Sequence, residues 1–167
     1  MTDSGKAWVF GDDIDTDVLA PGLYMKGTLK VLASHCLEAV DPDFAANVQP
    51  GDVVVGGRNF GIGSSREQAV QALQVLGVRT LIAQSFAGIF FRNALNLGVS
   101  ALTCAEAGKI RPGDRITTDA LRGVITNHTT GQTYACDRLP DKLLAMVQDG
   151  GLVAHLAKKL GQKDAIT

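Results

Sequence analysis

Val53-Val54-Val55-Gly56-Gly57-Arg58-Asn59-Phe60-Gly61-Ile62-Gly63-Ser64-Ser65-Arg66-Glu67 is the stretch whose reading decides the fold of this chain. The valines predict a short strand over 53–56. The glycines predict a tight turn, and the spacing of apolar residues from Gln68 to Leu76 predicts a helix that stops at Gly77. Strand, glycine-rich turn and helix N-terminus follow one another without a gap. Backbone N–H groups, the hydroxyls of Ser64 and Ser65, and the Arg66 guanidinium then converge at one helix end. Such a group attracts an anion, a carboxylate as readily as a phosphate.

Working outward, the same alternation continues. Val78 to Ala83 predicts a strand, and Ser85 is placed to cap a helix whose apolar face carries Phe86, Ile89, Phe90, Ala94 and Leu97. Val99 to Thr103 predicts the next strand after Gly98. This βαβαβ order is the mark of a parallel α/β unit. Upstream, residues 7–10 predict a first strand. An acidic turn follows over 11–17, then an irregular loop from Val18 to Thr28, a short helix over 29–39 and one further turn over 44–48. Gln49-Pro50-Gly51-Asp52 is the turn that opens the valine strand.

Downstream the pattern changes. Arg115 to Thr118, Gly123 to Asn127 and Thr133 to Cys136 are three short β-like runs joined by polar turns, which predict an added antiparallel layer. Helices are expected over 141–147 and 152–160, with the tail fraying over about 161–167. The expected architecture is one α/β domain over residues 1–167.

Composition narrows the function. The 167 residues are 46% apolar and 20% charged, with net charge −1, which fits a globular core. No block of Lys or Arg points to nucleic acid or an anionic membrane surface, and no apolar run approaches a membrane span. The N-terminus has no apolar signal core. Cys36, Cys104 and Cys136 are odd in number and scattered, so reduced thiols in the cytoplasm are expected. No metal or cluster is expected in this chain alone, because such sites use clustered ligands.

The glycine loop has two readings from its residues alone. It can be a tight turn with a capping Ser, or a cradle in which hydroxyl, N–H groups and Arg66 hold a carboxylate. It lacks the Lys-Ser/Thr of a P-loop, the third glycine of a dinucleotide fingerprint and the spacing of a nucleophile elbow. A module that merely binds an anion or a nucleotide remains an alternative of a different class.

Asp15-Thr16-Asp17, Asp41-Pro42-Asp43-Phe44, Asn59-Phe60-Gly61-x-Gly63-Ser64-Ser65-Arg66-Glu67 and Ser85-Phe86-Ala87 through Arg92-Asn93 occur in one order. Over about residues 7–155 this resembles the family of 3-isopropylmalate dehydratase small subunits and their relatives, homologous to the mobile last domain of aconitase. The resemblance implies a swivelling β/β/α domain. It also implies a large-subunit partner that carries a [4Fe–4S] cluster, whose open iron acts as a Lewis acid on the substrate. On the same resemblance Ser64 matches the catalytic serine and Arg66 the arginine that pairs with a substrate carboxylate. Asp17, beside Thr16, matches the acidic residue that supports them, while Gly63 and Ser65 offer backbone N–H groups.

Some positions depart from the family pattern: Ile62 where Cys is frequent, Gln68 where His is frequent, and Leu19-Ala20 where an aliphatic pair is usual. The loop after Tyr24 commonly selects the substrate. Its sequence here, Tyr24-Met25-Lys26-Gly27, puts Lys26 where tricarboxylate enzymes carry an arginine. The resemblance thus implies a hydro-lyase subunit acting on 3-isopropylmalate, with homoaconitate, another tricarboxylate or a substituted malate as the alternative.

Overall fold

In the computed structural model residues 4–166 are described, with the side chains of 4–161. A seven-stranded mixed sheet has the order β4-β3-β2-β1-β5-β6-β7. Strands β1 (Gly5–Val9), β2 (Val53–Val55), β3 (Thr80–Ala83) and β4 (Ser100–Thr103) are parallel, in the register Ala7 to Val53, Val53 to Thr80 and Thr80 to Ser100. Strands β5 (Arg115–Asp119), β6 (Val124–Asn127) and β7 (Gln132–Ala135) continue antiparallel from β1, with Lys6 opposite Arg115. The antiparallel strands are thus not a separate layer. They extend the same sheet, and β1 is the strand at which its direction changes. The sheet also curls, because the Asp137 N–H beyond β7 donates to the Thr103 carbonyl of β4 at 2.9 Å.

Alternation explains why β2 is apolar throughout. Val54, Leu81 and Ala101 face one core with Phe10, Phe44, Leu73 and Phe90. Val53, Val55, Ile82 and Leu102 face a second with Ile116, Ile125 and Tyr134. A strand buried on both faces has no solvent side for polar residues. Helices α1 (Thr16–Leu19), α2 (Leu29–Ser34), α3 (Phe44–Asn47) and α4 (Gln68–Val75) lie before and after β2 in the chain, and α5 (Gly88–Asn96) joins β3 to β4. Helices α6 (Asp141–Gln148) and α7 (Leu152–Ile166) close the chain.

Two Pro-Gly-Asp turns fasten β1 on both sides. Asp52, before β2, accepts from the N–H of Gln49 at 2.8 Å, the N–H of Lys6 at 3.1 Å and the Trp8 indole N–H at 3.0 Å. Asp114, before β5, accepts from the N–H of Arg111 at 2.9 Å and from Asn127 Nδ2 at 2.7 Å. Both carboxylates are buried and saturated with donors, which offsets their desolvation.

Four expectations change. Residues 18–28 are not wholly irregular, because Asp15 caps α1 by accepting the Val18 N–H at 2.8 Å and a 3₁₀ turn follows over Gly22–Tyr24. The helix expected over 29–39 stops at Ser34, and Leu37 takes a left-handed φ of 61°. Ser85 does not cap α5; the cap position is Ala87, and Ile89 is exposed rather than on the core face. The backbone continues as helix to Ile166 where fraying was expected, and Thr167 lies outside the described residues. The cysteines behave as core residues: burial pushes the Cys36 thiol up, and burial, with the neighbouring Cys104, pushes Cys136 up to about 11.

Candidate active site

Three loops meet at the carboxyl ends of β1, β2 and β3, where open α/β sheets bind ligands. Parallel bridges tie Asp15 to Ile62 and Phe60 to Phe86. The Gly61 N–H donates to the Ile14 carbonyl at 2.7 Å, and the Thr16 N–H to the Ile62 carbonyl at 2.8 Å. Two non-glycine residues in left-handed conformation, Asp13 (φ 57°) and Asn59 (φ 59°), clasp across this junction, with Asn59 Nδ2 donating to Asp13 Oδ1 at 2.9 Å. Asp and Asn tolerate that conformation better than other residues, so the strain is modest. Ser85 holds the clasp from the third loop by accepting the Asn59 N–H at 2.8 Å.

The glycines of the loop do separate jobs. Gly61 (φ +86°) sits where a Cβ would collide with the Phe90 ring. Gly63 (φ +111°) sits where a Cβ would lie 2.9 Å from Thr16 Oγ1. With no side chain there, the Thr16 and Ser64 hydroxyls come within 3.3 Å. Two residues on, Arg66 Nη1 donates to Asp17 Oδ1 at 3.0 Å and to the Ala20 carbonyl at 3.1 Å. Asp17 Oδ1 also accepts the Gly22 N–H at 3.3 Å.

Of the residues singled out in the sequence, Thr16, Asp17, Gly63, Ser64 and Arg66 form one cluster. The hydroxyl of Ser65 takes no part; its carbonyl accepts from Asn93 Nδ2 at 3.4 Å. Lys26 is exposed on the neighbouring loop and makes no ion pair or hydrogen bond among the described residues. The backbone N–H groups of 63–68 likewise have no partner among the described residues, and Glu67, at the cap position of α4, makes no side-chain cap. Ser64 is exposed, so the cluster is an open face rather than a pocket. A cavity of about 1010 Å³ lies elsewhere, lined by Thr117, Thr126, His128 and Leu144, and touches none of these residues. No group of three or more His, Cys, Asp or Glu side chains suited to a metal occurs among the described residues.

The family model for the aconitase C-terminal domain matches residues 22–107, about half of the chain. The chain belongs to that family. Within it, a 3-isopropylmalate dehydratase small subunit from Methanosarcina mazei is 48% identical over 95% of this chain and 99% of its own length. A methanogen homoaconitase small subunit from Methanothermobacter thermautotrophicus is 45% identical over 93% of this chain and 91% of its own. The crystal structure of 3-isopropylmalate dehydratase from Methanocaldococcus jannaschii superposes with a TM-score of 0.93 at 39% identity, covering all of both chains. The swivelling-domain fold expected of this family is the fold observed.

Sequence reasoning assigned no part in holding the site together to four residues that have one: Asp13, Asn59, Ser85 and Asn93. The signal for the first two was their type, because Asp and Asn beside turns are the non-glycine residues that accept a left-handed backbone. Ser85 was noticed, but for the wrong task.

Proposed function

We propose that this chain is the small subunit of a two-part hydro-lyase that interconverts 3-isopropylmalate and 2-isopropylmalate by dehydration and rehydration, a step of leucine biosynthesis in the cytoplasm. One observation carries the reading: the cluster of Thr16 with Ser64 and Asp17 with Arg66 is assembled, yet Ser64 and Asp17 lie open on the surface. A base and a carboxylate binder without walls are half of an active centre. The other half belongs to a large subunit, to which we assign a [4Fe–4S] cluster. The donor set here fits a place opposite such a cluster and not around it. The site offers hydroxyls and a guanidinium, while Cys36 and Cys104 are buried in the two cores. When bound, the cluster supplies a Lewis acid for the substrate's hydroxyl and carboxylate.

The residues of this chain then divide the work. Ser64, as the alkoxide, takes a proton from the carbon beside a carboxylate while the hydroxyl leaves the adjacent carbon. Water is lost and a double bond forms; returning water with the opposite orientation gives the isomer. A serine alkoxide is costly in water, so it needs donors around it and a site closed by the partner. The Thr16 hydroxyl at 3.3 Å and the unpaired N–H groups of 63–68 are such donors. Arg66 uses Nη1 on Asp17 and Ala20, so its direction is fixed before substrate arrives. Its Nε and Nη2 have no partner among the described residues and form the edge that receives a carboxylate in a two-pronged contact.

A second reading, homoaconitate or another tricarboxylate, is favoured by Lys26, whose free cation suits a third carboxylate, and by the similarity to a homoaconitase small subunit. Reconstitution with the cognate large subunit and assay on 3-isopropylmalate, homoaconitate and citrate separates the two. Turnover of 3-isopropylmalate is expected; turnover confined to tricarboxylates overturns the first reading.

A further inference from the structure

The loop that carries Lys26 is held by a histidine with no place in the chemistry. The ring of Tyr24 lies flat on the ring of His35, with centroids 3.6 Å apart and planes 1° from parallel. His35 Nδ1 lies 2.6 Å from Glu38 Oε2, so the imidazole is fixed in its own plane. Both partners of that pair are partly exposed, at 30% and 39%. Beyond its own turn, the loop's other polar tethers among the described residues are the Gly22 N–H on Asp17 Oδ1 at its start and Thr28 at its end, whose Oγ1 accepts the Val31 N–H and whose carbonyl accepts the Leu32 N–H. Leu23, at 85% exposure, and Lys26 are both exposed to solvent. One end of the loop is therefore tied to the catalytic cluster and the other to the start of α2, while its middle is held by the His35 stack together with the partly buried packing of Tyr24 and Met25 on the core.

We propose that His35 is a positioning residue: by stacking on Tyr24 under the restraint of Glu38, it holds the loop of residues 21–28 so that Lys26 faces the variable part of the substrate. The inference rests on the reading that this loop meets the substrate. A stacked aromatic pair is a modest attraction that acts over a short range, so its loss frees the loop without unfolding the chain. His35 touches no reacting atom. Its removal weakens substrate selection and leaves the proton transfer at Ser64 in place.

The test uses the assembled two-subunit enzyme carrying His35→Ala or His35→Phe. For the preferred acid, His35→Ala is expected to raise KM about three- to tenfold with kcat changed less than about twofold, while His35→Phe, which keeps the stack, restores KM. A second readout needs no activity: trypsin cleaves the full chain after Lys26, and the rate is followed by the mass of the fragment. Cleavage is expected to be about fivefold faster in His35→Ala and near wild type in His35→Phe. An unchanged KM and cleavage rate in His35→Ala overturns the proposal, as does a phenylalanine variant no better than alanine. Lys26→Ala separates the two ideas. If it leaves KM unaltered, the loop reading fails; if it raises KM while His35→Ala does not, the clamp fails.

Discussion

Asp52 and Asp17 are the same side chain at opposite ends of the sheet. Asp52 precedes β2 at the amino end of the parallel strands, is 5% exposed, and accepts three hydrogen bonds that tie Gln49, Lys6 and Trp8 together. Asp17 follows β1 at the carboxyl end. Its side chain is 70% exposed, and it accepts from Arg66 and from one amide. The amino end spends its carboxylates on closing the fold, and Asp114 repeats the device on the far side of β1. The carboxyl end leaves its polar groups reachable. A buried, saturated group stabilises; an exposed and partly saturated one is available to a ligand. The contrast yields predictions in which stability and activity come apart.

Ser64→Ala should have the largest effect. In the assembled enzyme kcat is expected to fall about 10³-fold, a typical loss for a missing base. The melting temperature should move by less than about 2 °C, since Ser64 is exposed and its hydroxyl meets only Thr16 among the described residues. Turnover assays and thermal melts on one preparation check both. Near-normal turnover would remove Ser64 from its role; a large fall in melting temperature would place it with the structural groups.

Asp52→Ala should show the converse. Three donors lose their acceptor in a buried setting, at a cost of about 3 kcal/mol. For a chain of this size that is roughly 8 °C in melting temperature. The kcat of the folded, assembled fraction should stay within about twofold, because Asp52 lies at the other end of the sheet. If activity falls as far as stability, the two ends are coupled and the division fails.

Arg66→Lys comes next. Lysine can keep a charge near Asp17 but cannot offer two parallel N–H donors to a carboxylate. A loss of about 30-fold in kcat/KM is expected, with little change in melting temperature. Equal kinetics would show that Arg66 serves the Asp17 contact alone.

How much of this was readable beforehand follows from the range of each interaction. The strand, glycine loop and helix around Ser64 are written in consecutive residues, and periodicity and breakers report them. The three antiparallel strands announce themselves by alternation and turns. That β5 joins β1 leaves no local mark, because the paired Lys6 and Arg115 are brought together by the whole intervening chain. The same holds in the site. Arg66 and Asp17 are 49 residues apart and Ser64 and Thr16 are 48 apart; only the family resemblance brought them together in advance. Ser85 has the composition of a helix cap, yet its hydroxyl faces Asn59 from 26 residues away, and nothing near it in sequence distinguishes the two tasks. His35 read as an isolated residue for a similar reason: its stack depends on how the loop of residues 21–28 turns back on α2.

Asp12 tests the contrast where it is weakest. It lies at the carboxyl end with Asp17, yet it is engaged like Asp52: its Oδ1 accepts the Arg58 N–H at 2.7 Å, and its Oδ2 lies 3.4 Å from Arg58 Nη2. The Arg58 amide, opposed by desolvation and aided by the guanidinium charge, holds its carboxyl below the ordinary value of 3.8. A carboxyl lowered by folding stabilises fully above its unfolded value, and that stabilisation is lost as pH falls through the lower, folded value. Asp12→Asn keeps an oxygen for the Arg58 N–H and removes the charge. The expected result is a small deficit in melting temperature at pH 6 that shrinks as the pH is lowered toward 3, because the wild type then loses the same charge. Exposure keeps the effect small, since water screens the pair. A deficit as large as that of Asp52→Ala at pH 6, or one that widens on acidification, would mean that engagement alone decides the role of a carboxylate here, and that its place at one end of the sheet does not.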